Sequence, residues 1–375
     1  MNSFIVGKDF LTAVINEICM DGRFDRFSVK EDFYDLRLFD VRCSDMGVER
    51  IVDRDEFNSA RSQVALAVDP RHHTELPGHE DLRSSLHSSL LLPPENMDEV
   101  VGSINEAITA SRRRHQFKGQ MAISIDSNLA YKRLLSRLFL EKGRFGLEYD
   151  NPKDLMVPIS KVSVRELSSA SNHKLDKQKN PTGFKRSLPG RCFTDHLINR
   201  PTLRSVKALN ALAEHGNIRD IFTYYEVDED MPDVFDSGKA DEYIVRELSS
   251  YFKKGQMDMT FLTADDSMSS LLDGERMDYL IVRYPNEVPS RLTGTPWLVR
   301  ELLYDLCLNF RCIRFEGTGV SLMSVWDGKT TSDYLDERIC VNLAEGSRIG
   351  EELSRDFRIL KRFQDSKTID LKRLR

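Results

Sequence analysis

The six cysteines of this 375-residue chain, Cys19, Cys43, Cys192, Cys307, Cys312 and Cys340, include no C-x-x-C pair. That absence argues against a structural zinc site and for reduced, mostly buried thiols in a cytoplasmic protein. No segment approaches the roughly 18–20 continuous apolar residues that cross a bilayer, so no membrane partner is expected. The stretch MNSFIVGKDFLTAVINEICMDG interrupts its apolar residues with acids and does not read as a signal peptide. Net positive charge is also missing: the formal charge is −6, so any nucleic-acid binding has to come from a local patch. There is no internal repeat. The chain is 40% apolar and 30% charged, enough to build real cores, and its length suggests two or three domains.

Residues 1 to about 70 mix a helix-like start with strand-like pieces, LRLFDVRC, VERIV and SQVALAV. From Asp69 to Pro94 the chain is rich in Pro, His, Ser and Gly and reads as a linker or long loop. A helix follows in NMDEVVGSINEAITASRRR, where Asn96 and Glu99 match a capping box and Val100, Val101, Ile104, Ala107 and Ile108 recur at helical spacing. From Met121 to about Pro285 the short apolar runs MAISI, LMVPI, IFTYY, MTFLT and YLIVRY alternate with amphipathic helices. This alternation predicts an α/β domain with a mainly parallel sheet. Beyond it, PWLVRELLYDLCLNF reads as a helix, and CIRFEG, VSLMSVW and RICVNL as strands of a mixed element. The expected division is a mixed α+β region with linker at 1–95, the α/β domain at 96–285 and an α+β extension at 286–375.

In a parallel α/β sheet, ligands bind outside the carboxyl ends of the strands, so the acids just beyond those ends matter most. Asp126 ends MAISI. Glu166 lies early in the helix after LMVPI, where Ser163 is a possible S-x-x-E cap for it. Asp241 shares the helical stripe of Ile244, Val245, Leu248 and Phe252, at its N-terminal end. Asp265 and Asp266 follow the strand that runs into Thr263. Each acid alone also suits a helix terminus. Four at the ends of successive elements are a rarer coincidence, because converging carboxylates about 4 Å apart repel by roughly 4 kcal/mol at an effective dielectric near 20. A divalent cation relieves that repulsion, and hard oxygen ligands select Mg²⁺ or Mn²⁺.

The series ISIDSNLAYKRLLSRL, VPISKVSVREL, KADEYIVREL and FLTADDSM resembles the PIN-domain nuclease family over about residues 121–285, under half of the chain. The resemblance implies a PIN-like three-layer α/β domain carrying N- and C-terminal extensions. It matches Asp126, Glu166, Asp241 and Asp265 to the family's four catalytic, metal-holding acids, with Asp266 an alternative or additional ligand. Asn128 matches the Asn that sets the first loop, and Thr263 the polar residue before the last acid. The implied activity is metal-dependent endonucleolytic hydrolysis of RNA. One departure is a long insert at about 172–207, in which Lys174, Lys177, Lys179, Lys185, Arg186, Arg191, Arg200, Arg204 and Lys207 face only Asp176 and Asp195. Such a patch is what a phosphate backbone requires, and Phe184 and Phe193 within it could stack on bases. The run SRRRHQFK at 111–118 is a second basic stretch.

Other signals point elsewhere. The cluster of His72, His73, His79 and, further on, His87 lacks helical H-x-x-x-H spacing and reads as a solvated loop rather than a metal site. FEGTGVS lacks the third glycine of a dinucleotide fingerprint and reads as a turn. WDGKTTS has Met323 where a phosphate-binding loop needs glycine, so Asp327-Gly328 reads as a hairpin turn. Trp297 and Trp326 read as core or interface anchors. An acid ending the first strand also suits phosphoryl transfer through an aspartyl nucleophile, as in haloacid-dehalogenase-like phosphatases. Those need a second acid two residues on, where this chain has Asn128. The alternative outside catalysis is an inactive PIN-like RNA-binding or scaffold protein. The flanking regions are left with substrate recognition, covering of the site or homodimer formation.

Overall fold

The structure, a computed structural model, describes residues 2–66, 68, 70–112, 121–140, 143–173, 201–228, 237–255 and 257–359. The chain forms two compact units. Of the described residues, those within 83–173 and 201–287, the middle of the chain, form one, and those within the flanking segments 2–82 and 288–359 form the other.

The flanking unit begins with β1 (Asn2–Gly7), β2 (Arg26–Glu31), β3 (Arg37–Arg42) and β4 (Val48–Glu49). The middle unit holds β5 (Met121–Ile125), β6 (Met156–Ser160), β7 (Thr223–Val227), β8 (Asp258–Thr263) and β9 (Asp278–Ile281). The flanking unit resumes with β10 (Arg291–Leu292), β11 (Cys312–Phe315), β12 (Val320–Met323) and β13 (Arg338–Leu343).

The flanking strands form one antiparallel sheet among the described residues, ordered β1-β13-β12-β11-β2-β3-β4-β10. β1 pairs with β13 from Asn2↔Leu343 to Gly7↔Arg338, and β2 pairs with β11. The N- and C-terminal regions, expected as two separate extensions, therefore share a single sheet. Helix Pro296–Phe310 is buried almost all round, through Leu298, Leu302, Leu303, Tyr304 and Leu306 and also the charged Arg300, Glu301 and Asp305. It packs against helix Leu11–Met20. FEGTGVS is the turn of the β11–β12 hairpin, as expected. Gly319 sits there at φ +76°, and a Cβ at that position would lie 2.9 Å from Ser347 Cβ.

Four readings of the flanks are corrected. SQVALAV is not a strand: Asp53 accepts a hydrogen bond from Glu56 N at 2.8 Å and starts helix Arg54–Ala65, which takes in most of it. The supposed linker 69–94 contains helix His79–Ser88, because Leu82 and Leu86, one turn apart, bury with Leu90 and Leu91. His87 is likewise buried, its Nδ1 bonded to Leu92 O at 3.0 Å, and His73 Nε2 bonds backbone carbonyls, so neither is a solvated loop residue. Asp327-Gly328 is a turn but not a hairpin: helix Thr331–Leu335, opened by a Thr330/Asp333 capping box, separates β12 from β13.

The middle unit is α/β, with a five-stranded sheet ordered β7-β6-β5-β8-β9 and parallel throughout. Its helices make it compatible with a three-layer arrangement. Each expected apolar run supplies a strand, and β5 and β8 carry Ala122, Ile123, Ile125, Phe261 and Leu262, all almost wholly buried. Full burial of such aliphatic side chains contributes about 1.5–3 kcal/mol each. Pro158 in β6 lacks an N–H, and its carbonyl accepts the buried Ser124 hydroxyl at 2.7 Å, which satisfies both groups between β5 and β6. In helix Ala240–Gly255 the stripe Ile244, Val245, Leu248 and Phe252 faces the core as the spacing predicts. Asn96 does meet Glu99 ahead of helix Met97–Arg112, at 3.3 Å, but its amide also bonds Ile281 O and Arg283 N, tying the helix start to the end of β9. Among the described residues no helix is long and apolar enough to cross a membrane.

Candidate active site

The chain lays down β5, β6 and β7 outward on one side, then returns to place β8 on the other side of β5. The strand order therefore reverses between β5 and β8, and a crevice forms outside the carboxyl ends at such a point. Asp126 and Thr263 stand there. Asp126 N donates to Leu262 O at 3.2 Å, extending the sheet by one residue. Its Oδ1 accepts from Leu129 N at 2.9 Å, capping helix Ser127–Tyr131, and its Oδ2 accepts the Thr263 hydroxyl.

Asp126 is only 2% exposed, and burial pushes its pKa up to about 6 against the hydrogen bonds of Thr263, Leu129 and Asn128 that oppose it. Asn128 is exposed, and both its backbone and its side chain contribute to those opposing hydrogen bonds. Thr263 Oγ1 accepts from Asp265 N at 3.0 Å. Asp265 Oδ1 in turn caps Ser267 N at 2.8 Å, and Asp266 is exposed in the short turn that follows.

Glu166 is half-buried and accepts from Ser127 Oγ at 3.2 Å. The capping-box reading fails for it: Ser160 starts helix Lys161–Ser171 and bonds Val162 N at 3.1 Å, which leaves Ser163 inside the helix. Asp241 opens helix Ala240–Gly255, and partial burial followed by the charge of Asp265 raises its pKa. The structure therefore brings Asp126 to Thr263, Glu166 to Ser127 next to Asp126, and Asp241 into the field of Asp265. Among the described residues, no three His, Cys, Asp or Glu side chains stand close enough together to hold a metal ion.

Three side chains near these acids escape the sequence reading. Glu247 is buried and accepts the Ser160 hydroxyl at the end of β6. Its signal was an acid on the apolar stripe, three residues after Ile244. Tyr131 feels the charges of Glu166 and Arg204, and burial is the main cause of its raised pKa. Tyr284 has a hydroxyl shut off from solvent with no hydrogen-bond partner among the described residues, and its pKa is raised by burial first and by Asp126 and Glu214 next. No sequence pattern marks either tyrosine.

Of the basic insert, Arg204 and Lys207 begin helix Leu203–Ile221, with Arg204 exposed. Lys174, Lys177, Lys179, Lys185, Arg186, Arg191 and Arg200 lie outside the described residues, as do 113–118 of the second basic stretch. No protein-family model matches the chain, and no curated protein is significantly similar to it. The functional argument therefore rests on the residues themselves.

Proposed function

We propose that the middle unit is a PIN-like ribonuclease domain that hydrolyses RNA phosphodiester bonds with Mg²⁺ or Mn²⁺. The observation that carries this reading is the buried Asp126 carboxylate, bonded to Thr263 across the point where the strand order reverses. Burying a carboxylate without a cationic partner costs stability, and at that crevice a cation beside a phosphate gives the cost a use.

The donor set fits a hard cation, since it consists of carboxylates alone. Asp126, Glu166, Asp241 and Asp265 would hold it, with Asp266 at the rim. A bound ion would activate a water and stabilise the charge that develops on the phosphate. The chain's own groups do the positioning. Thr263 and Leu129 N fix the Asp126 carboxylate, Asn128 braces the loop beneath it, and Ser127 directs Glu166 toward the same strand end. Asp241 and Asp265 repel one another, which a cation relieves. Arg204 and Lys207, with the basic residues of the insert, are assigned to the RNA backbone.

A second reading, a PIN-like RNA-binding or scaffold domain without turnover, is favoured by one observation: the acids do not stand together as a ready ligand set. Cleavage of a mixed structured and single-stranded RNA pool with Mg²⁺, Mn²⁺ or EDTA separates the two. Metal-dependent cutting lost in both Asp126→Asn and Asp265→Asn supports the nuclease. Binding without cutting under any ion supports the scaffold, and neither binding nor cutting defeats both.

A further inference from the structure

The eight-stranded sheet of the flanking unit carries a feature that the proposed chemistry does not use. A pocket of about 660 Å³ is lined by Arg26, Arg42, Glu49, Arg50, Ser290 and Arg291. Four of its six lining residues are arginines, with one acid, Glu49, and one neutral residue, Ser290. The residues come from neighbouring strands: Arg26 opens β2, Arg42 closes β3, Glu49 ends β4, Arg50 follows it and Arg291 opens β10. Arg26 and Arg42 are direct cross-strand partners. Like charges placed opposite each other weaken an antiparallel pair, so this pairing runs against stability.

The surrounding acids hold these arginines without filling their hydrogen-bonding capacity. Glu49 accepts from Arg26 at 3.0 Å on one oxygen and from Arg291 at 3.1 Å on the other. Asp45 takes two bonds from Arg42, at 2.9 and 2.8 Å, and Asp40 one from Arg50, at 3.3 Å. Neither aspartate belongs to the pocket wall, and Asp40 is buried. A guanidinium carries five N–H donors, of which these contacts use one or two each. The ion pairs therefore fix the direction of four planar forks and leave donors over. Arg50 is also held at φ +53°, an unusual conformation for a residue with a Cβ.

Planar forks match the oxygens of phosphate in pairs. The wall has no ring on which a base could stack, so it suits the phosphates of a ligand and not its bases. We propose that this pocket binds ligands carrying several phosphate groups, either an oligonucleotide backbone or a free polyphosphate chain, through Arg26, Arg42, Arg50 and Arg291. The proposal stands independently of the acids around Asp126.

The test uses the full chain in EDTA, with inorganic tripolyphosphate followed by calorimetry and a short labelled oligouridine followed by fluorescence anisotropy. The variant is Arg50→Gln combined with Arg291→Gln, whose side chains are 62% and 67% exposed. Arg348→Gln, equally exposed in the same unit and outside the wall, is the control. Binding of at least one probe should weaken about tenfold in the double variant, with a shallower salt dependence, and should be unchanged in the control. A loss for oligouridine identifies a backbone site, and a loss for tripolyphosphate alone identifies a free polyphosphate site. If the double variant loses its melting transition, Arg50→Gln alone carries the comparison. The proposal fails if wild type binds neither probe at about 1 mM, or if the variant binds both as tightly as wild type.

Discussion

Replacing Asp126 by Asn should make the metal-free protein more stable. The carboxylate is 2% exposed and its pKa lies at about 6 in the folded chain against an ordinary 3.8. That difference is worth about 3 kcal/mol, at about 1.4 kcal/mol for each tenfold. Because the folded value is the higher one, ionisation weighs against the fold: the cost is absent below about pH 4 and fully present above about pH 6. Asn keeps an oxygen for Leu129 N. Its amide can donate to Thr263 Oγ1, whose hydroxyl then turns to Met268 Sδ, 3.5 Å away.

A gain of about 1–3 kcal/mol is therefore expected at pH 8, or roughly 2–10 °C in the melting temperature of a unit this size. Urea and thermal melts in EDTA at pH 8 and pH 4 would measure it, with the difference vanishing at the lower pH. Adding Mn²⁺ should reverse the order, since an ion at 100 times its Kd stabilises only the protein that binds it, by about 2.7 kcal/mol. An Asn variant destabilised equally at both pH values would refute the reasoning. Asp126 would then be a helix cap whose hydrogen bonds outweigh its burial.

Thr263→Val removes the hydroxyl that Asp126 accepts and that receives Asp265 N. It should cost about 1.5–3 kcal/mol and weaken Mn²⁺ binding in a titration, while Thr263→Ser should preserve both. His215 is buried, its Nδ1 has no hydrogen-bond partner among the described residues, and burial lowers its pKa to about 4. Stability should then fall as the pH drops from about 6.5 to about 4, by up to about 3 kcal/mol, and His215→Leu should flatten that limb in urea melts across the range. Gly319→Ala should cost at least about 1–2 kcal/mol, because φ is +76° and a Cβ would meet Ser347. Gly328→Ala, where a Cβ meets nothing, should cost less in the same thermal melt.

The strands of the middle unit were legible because each is a short apolar run set between amphipathic helices, and five runs gave five strands. Their order was not legible, since parallel pairing joins residues such as Ile125 and Leu262 that no local pattern connects. The acids at the strand ends could be named for the same reason the strands could, yet their mutual distances depend on that order. Glu247 was hidden among the apolar residues of its own helix, and the cap was read at Ser163 because Ser160, the true cap, stands at the very end of β6. The flanks misled most. SQVALAV alternates like a strand, but the cap at Asp53 twelve or so residues back decides it, and polar residues in 69–94 masked the leucines that bury.

The first strand of the chain completes its pairing only with β13, near residue 343. During synthesis at about 5–20 residues per second, the segment carrying β1 to β4 waits on the order of 10–50 seconds for its partners. The middle unit, by contrast, has all its strands once residue 281 has emerged. The strands of the middle unit thus leave the ribosome before the flanking unit can join its two ends. A chain cut short before β11 would expose the edge of β2, with Phe27 and Val29 uncovered beside it, and would be a substrate for chaperones and proteases even with its middle unit intact.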